Sequence, residues 1–246
     1  MIWFIIATLV AFFIKGLCGF ANTLIFNGIL SYTANNINIS PLEVVLGYPS
    51  NIILVWKERK SLNWKIWLPL TALVVAGSIP GIFLLKHTDA GLLKVIFGIA
   101  VIVIGVEMLF REMKSNREIS NRKPGGSKLV LILIGIISGL LCGLYGVGAL
   151  LAAYVSRVAE NSHEFKANIC VVFVVENTIR IILYVATGIL TLSVLKQVVI
   201  LIPFMLAAVF LGMKSSSVLN EKIIKKIVII LLILSGIVLI INNIPG

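Results

Sequence analysis

The sequence predicts an all-α polytopic membrane protein built from two inverted-topology repeats of five segments each, with a glycine-broken helical hairpin opening each half. Three observations carry that reading. Of the 246 residues, 59% are hydrophobic and only 13% charged, against about 25% charged in a soluble domain. Several apolar stretches reach the roughly 20 residues that span a bilayer as helix. The stretch Gly135-Ile-Ile-Ser-Gly139-Leu-Leu-Cys142-Gly143-Leu-Tyr145-Gly146-Val-Gly148 is apolar enough for a membrane helix yet too glycine-rich for a continuous one, and a shorter echo, Leu17-Cys18-Gly19, lies 124 residues before Leu141-Cys142-Gly143. Paired broken helices at matching places in two halves point to a transport site.

Composition excludes other classes. The strict alternation of a membrane β-barrel is absent. The net charge of +11 does not indicate nucleic acid, because the basic residues lie in short loops between apolar segments, where they set orientation. Residues 2–14 have neither a basic leader nor a small-residue cleavage site and are expected to be retained. Cys18, Cys142 and Cys170 form no disulfide framework or metal spacing. No hydrolase, nucleotide-binding or dinucleotide-binding motif occurs in a usable context, so neither an enzyme nor a cofactor is expected.

In chain order, residues 2–14 and 20–33 flank a break at Lys15-Gly16-Leu17-Cys18-Gly19. Each is about 21 Å long as helix, short of a core of about 30 Å. Asn35, Asn36 and Asn38 form an uncharged loop. Ser40-Pro41 reads as a helix start, with Ser40 as N-cap, and that helix runs to about Trp56. Trp64 and Trp67 mark an interface. Spans follow at 66–85, loosened at Gly77 to Gly81, and at 91–110. The stretch 111–128, with six basic residues and Pro124-Gly125-Gly126, is the linker between repeats 1–110 and 129–246. The second half reads as 129–142 and 147–156 around the glycine break, a polar loop at 157–166, and spans at 167–187, 195–213 and 224–242.

The halves correspond beyond the breaks. Asn51 and Asn177 lie 126 residues apart, while Gly81/Gly212, Lys94/Lys225 and Gly105/Gly236 share an offset of 131, which argues for duplication. Loops 57–65, 111–128, 157–166 and 214–226 hold four, six, two and four Lys or Arg, against three in the connections 86–94 and 188–196 together. The rich set is expected in the cytoplasm and both termini outside. This holds if 2–33 and 129–156 are hairpins; five segments per half then invert the second half. Single broken spans would give the opposite sidedness. The expected location is a prokaryotic plasma (inner) membrane.

Arg180, near the middle of 167–187, is the most informative residue, because a charge at that depth costs about 2.5–3.5 kcal/mol or more and is functional by default. Glu176 lies one turn earlier, on the same face and within pairing reach, with Asn177 beside it. The pair reads either as an anion site with a proton-carrying carboxylate or as a structural brace. Lys15 is either a cation on the substrate path or a loop residue snorkelling to the cytoplasmic face. Helix restarts after Gly19 and after Gly146 offer unpaired N–H groups to an anion. Asn22, Tyr145, Asn51 and Asn177 either bind substrate or satisfy backbone at the breaks. Gly143 completes the glycine face. Cys18 and Cys142, at equivalent positions, raise a second possibility, a thiol–disulfide electron carrier, against simple packing of small residues beside glycine.

The glycine motif from Gly139 to Gly148, with the closing-helix patterns Gly91 to Gly105 and Lys222 to Gly236, resembles the sulfite exporter TauE/SafE family of membrane transporters over essentially the whole chain. The resemblance implies export or uptake of small anions, chiefly sulfite, sulfonates, related sulfur oxyanions or organic acids, by a secondary transporter. One half would rock against the other in alternating access, driven by the proton gradient or by the anion's own gradient. The expected partners are a small anion, protons and lipid, with no nucleic acid; the oligomeric state stays open.

Overall fold

The computed structural model describes residues 1–30, 36–87 and 148–220 continuously, and separate helical positions between 95 and 142 and between 223 and 241. Seven α-helices are delimited: α1 (Ile2–Cys18), α2 (Asn22–Leu30), α3 (Asn36–Glu58), α4 (Trp64–His87), α5 (Ala149–Val158), α6 (Ser162–Ala186) and α7 (Leu192–Ser216). No strand occurs among the described residues. Three helices, at Ile39–Ser61, Ser162–Ala186 and Leu192–Ser216, are long and apolar enough to cross a membrane. Apart from Ile223, the remaining helical positions fall within the expected spans 91–110, 129–142 and 224–242. The linker 111–128 and the glycines Gly143 and Gly146 lie outside the described residues.

The first break is built by backbone chemistry. The α1 helix runs through Lys15 to Cys18, further than the sequence suggests, and stops where Gly19 adopts a left-handed conformation (φ 86°, ψ −7°) with its N–H on Lys15 O at 2.7 Å. Glycine is the residue that enters this region without a Cβ penalty. The Cγ of Lys166 would lie 3.1 Å from a Cβ at Gly19, so the space is closed as well. Ala21 follows at φ 71°, an uncommon conformation for a residue with a Cβ, and α2 starts at Asn22. The expected break is therefore present, moved to 19–21.

Three further boundaries differ from expectation. The α3 helix begins at Asn36, so Ser40 and Pro41 lie inside it and Ser40 is no N-cap. Proline removes one backbone bond, a loss that neighbours absorb in a packed membrane helix, and the Ser40 hydroxyl is taken by Arg180 instead. The Gly77–Gly81 stretch is unbroken helix within α4; its glycine serves a helix crossing. The polar loop at 157–166 shrinks to a turn at 159–161, because Asn161 caps α6, accepting from Glu164 N at 2.9 Å. Lys166 is consequently buried within α6. Asn161→Ala is expected to cost about 1 kcal/mol of stability, read as a lowered melting temperature of the purified protein.

Packing interleaves the two halves. The α1 helix packs most extensively on α7, and α3 on α6, with α4 also on α6 and α7 on α3. Glycines permit the close crossings. A Cβ on Gly212 would sit 2.9 Å from Gly16 Cα and closer still to Phe13 O. A Cβ on Gly139 would sit 2.9 Å from Gly77 Cα and closer to Val74 O. Gly98 and Gly236 meet likewise, each Cβ position 2.8 Å from the other's carbonyl oxygen. Gly135 faces Leu73, so the four-residue glycine spacing does present one face to a neighbouring helix, as small-residue stripes do in lipid. At one end of the bundle Asn63 ties the α3–α4 turn to α6, donating to Glu164 Oε1 at 2.9 Å and, from its backbone, to Asn168 Oδ1 at 3.0 Å. His163 and Glu58 meet there at 2.7 Å.

Candidate functional site

Beside the first break lies a cavity of about 20 Å³, room for one water-sized group. Its lining comprises the end of α1 (Lys15), the break and first turn of α2 (Phe20 to Leu24), Glu43 and Asn51 of α3, Gly148, and Phe173 and Asn177 of α6. The break is what brings these together: with α1 ended at Cys18, the start of α2 turns toward α3. The first-turn N–H groups of a helix have no partner within it, and here that turn faces the cavity.

Lys15 is 1% exposed. Its ammonium donates to Asn22 Oδ1 at 3.0 Å and stands 5.7 Å from the Phe173 ring centroid, within cation–π range. Burial to this degree removes the snorkelling alternative. Asn22 then donates from Nδ2 to Glu43 Oε1, which also accepts from Thr23 Oγ1 at 2.7 Å. An ammonium only donates and a carboxylate only accepts, so the Asn22 amide is oriented by its two neighbours. Gly47 leaves space at the centre: a Cβ there would lie 3.3 Å from Glu43 Oε1 and 3.6 Å from both Asn177 Nδ2 and Asn22 Nδ2. Two amide donors and a carboxylate oxygen thus converge on one point.

Among the described residues, Asn51 and Glu176, like Ser138 elsewhere, carry unmet hydrogen-bonding capacity. Asn51 is fully buried and lines the cavity, yet neither its Oδ1 nor its Nδ2 has a partner. Glu176, also buried, has an unpartnered Oε1. Native interiors hold few such groups, and binding sites are where they are retained.

Arg180 and Glu176 lie on α6 and do not line this cavity. They form no ion pair within 4.0 Å, although their spacing puts them on one face. Arg180 turns the other way: Nε donates to Tyr184 Oη at 2.9 Å, Nη2 donates to Ser40 Oγ, and Ser40 and Tyr184 are 3.0 Å apart. The guanidinium also lies 5.3 Å from the Tyr184 ring centroid. Tyr184 has the same four-residue spacing as Glu176, and the hydroxyl pair offers a neutral cradle where a second carboxylate is not needed.

Of the residues singled out in the sequence, Lys15, Asn22, Asn51 and Asn177 are brought together. Gly19 and Cys18 lie next to the cavity without lining it. Cys18 Sγ bonds to the carbonyls of Ile14 and Phe20, and Cys170 Sγ to that of Gly19. Cys142 is buried, and Tyr145, Gly143 and Gly146 lie outside the described residues. Glu43, Thr23, Gly47 and Phe173 were missed. Glu43 had a signal: it is the only charged residue between Lys15 and Lys57, and a carboxylate at membrane depth is a functional candidate by default.

Residues 4–239, nearly the whole chain, match the family model described as Sulfite exporter TauE/SafE. No curated protein and no solved structure matches the chain.

Proposed function

The chain belongs to the TauE/SafE sulfite exporter family, and from that premise we propose that it is a secondary transporter moving a small anion across the plasma membrane by alternating access. The substrate class is sulfite, a sulfonate, or a related sulfur oxyanion or organic acid. The observation that carries the reading is Asn51: a fully buried amide with neither atom partnered, facing a cavity that holds an ammonium. An amide left unmet in the interior costs stability, and an anion oxygen would take up its donor.

Lys15 supplies the positive charge, the Asn22, Asn51 and Asn177 amides supply directional donors, and the first turn of α2 adds backbone N–H groups at the positive end of a helix dipole. Phe173 walls the cavity. Glu176 and Arg180 stand deeper on α6 as charges that bias, rather than form, this contact. The inverted repeat is supported by reciprocity: α1 crosses α7 as 135–140 crosses α4, and Asn51 and Asn177, one from each half, line one cavity. The charge distribution among loops supports cytoplasmic placement of 57–65, 111–128 and 214–226, with both termini outside. In the absence of any nucleotide-binding motif the drive is the anion's own gradient and that of protons. The electron-carrier alternative through Cys18 and Cys142 has no support: each is buried, and no disulfide is present among the described residues.

The test is thermal stabilisation of the purified protein by a panel of sulfur oxyanions, sulfonates and carboxylates with chloride as control. A ligand at about 100 times its Kd is expected to add about 2.7 kcal/mol. Asn51→Leu is expected to keep or raise the melting temperature without ligand, because an orphan polar pair is removed, and to lose the response. No stabilisation of the wild type by any anion would overturn the proposal.

A further inference from the structure

We infer that Glu43 is a resident anion that holds the substrate's place, so that substrate binds only as Glu43 takes up a proton, one proton per anion. This deepens the transporter reading above and rests on it.

The geometry is that of an occupied anion site. Glu43 Oε1 already accepts from Asn22 and Thr23, and it shares with Asn177 Nδ2 and Asn22 Nδ2 the point that Gly47 leaves open. An anion drawn to Lys15 and these amides meets a carboxylate held on the same donors. Among the described residues the cavity is lined by one cation, Lys15, and one carboxylate, Glu43, so a bare anion entering would leave an uncompensated negative charge out of water, which is strongly unfavourable. Protonation of Glu43 restores neutrality. It also frees the Asn22 Nδ2 donor, and the new carboxyl O–H has a ready acceptor in Thr23 Oγ1, since a hydroxyl can reverse its role.

The charged groups acting on Glu43 are Lys15 from α1 and Arg180 and Glu176 from α6, and the buried thiol of Cys142 also lies within electrostatic reach of it. The α2 helix contributes only neutral Asn22 and Thr23, and the lysines of α7, Lys196 and Lys214, are exposed near its ends. Two cations face two carboxylates, so the balance is even before substrate arrives. The step is Glu43–COO⁻ plus H⁺ plus anion giving Glu43–COOH with bound anion; no covalent bond to substrate forms, and a monoanion is carried without net charge.

The test uses methanesulfonate and ethanesulfonate, monoanions whose charge is constant across the range, titrated into purified full-length protein from pH 5.5 to 8.5. Wild-type affinity is expected to fall with rising pH, approaching about tenfold per unit, and weakly buffered solution should show one proton taken up per anion. Glu43→Gln, which keeps the side chain's shape and an accepting oxygen, is expected to bind at high pH with the wild type's low-pH affinity, without slope or proton uptake. A wild-type slope retained in Glu43→Gln, or one lost in Glu176→Gln instead, would overturn the inference while leaving the transporter reading intact. Should Glu43→Gln not fold, the wild-type proton count decides, and a count of zero overturns it. Wild type that binds neither probe at any pH removes the transporter reading, and the inference with it.

Discussion

Lys15→Met is expected to abolish anion binding. Lys15 is the single cation lining the cavity among the described residues, it is buried, and its ammonium is held by Asn22 Oδ1 over the Phe173 ring. Truncating one member of a buried hydrogen-bonded charge set costs about 2–5 kcal/mol in binding, so affinity should fall by roughly 30-fold or more and the thermal response to anions should vanish. The substitution also strands the Glu43 carboxylate, so the melting temperature without ligand should drop. The double variant Lys15→Met/Glu43→Gln separates the two effects: removing both charges should restore the melting temperature, while binding stays lost. If Lys15→Met binds the anion as tightly as wild type, the ammonium is only Glu43's structural counter-charge.

Gly212→Ala is expected to be the most damaging single methyl addition. The methyl would lie 2.9 Å from Gly16 Cα and closer to Phe13 O, and both obstacles are backbone. No rotamer change relieves this, so α1 or α7 must shift along the length of the crossing. Overpacking typically costs about 1–3 kcal/mol, more where nothing can yield, and the upper part of that range is expected. Gly16 is the neighbour of Lys15, so the shift displaces the site's cation as well. Loss of stability and loss of anion response should therefore appear together, measured by melting temperature and by titration of the surviving folded fraction. An alanine tolerated at both Gly212 and Gly77 would show that the crossings are looser than described.

Much of this architecture was legible because lipid imposes simple demands. Apolar length, the Gly19 break and the glycine spacing at Gly135 and Gly139 follow from backbone satisfaction and close approach, and both can be read along the chain. Asn51, Asn177, Lys15 and Asn22 stood out because polar side chains in apolar runs are expensive. What failed was any inference that needed a partner's identity. Four-residue spacing allowed Arg180 to meet Glu176 or Tyr184 equally, and only packing against α3, which delivers Ser40, decides for Tyr184. Glu43 was hidden by a local explanation: an acidic residue shortly after Ser40-Pro41 reads as first-turn dipole compensation. Its role emerges once the break swings Asn22 and Thr23 onto α3.

The glycine crossings bear on what can move and on how the chain is made. Each joins a helix from the first half of the sequence to one from the second with bare backbone at the seam, so the partners cannot slide without the seam opening. The pairs held most closely are therefore α1 with α7 and the 135–140 turns with α4, each drawn from both halves of the sequence. During synthesis α1 emerges long before α7 exists to receive it. Until then its glycine face lacks that partner, and the cavity beside Lys15 closes only once Phe173 and Asn177 of α6 have been made.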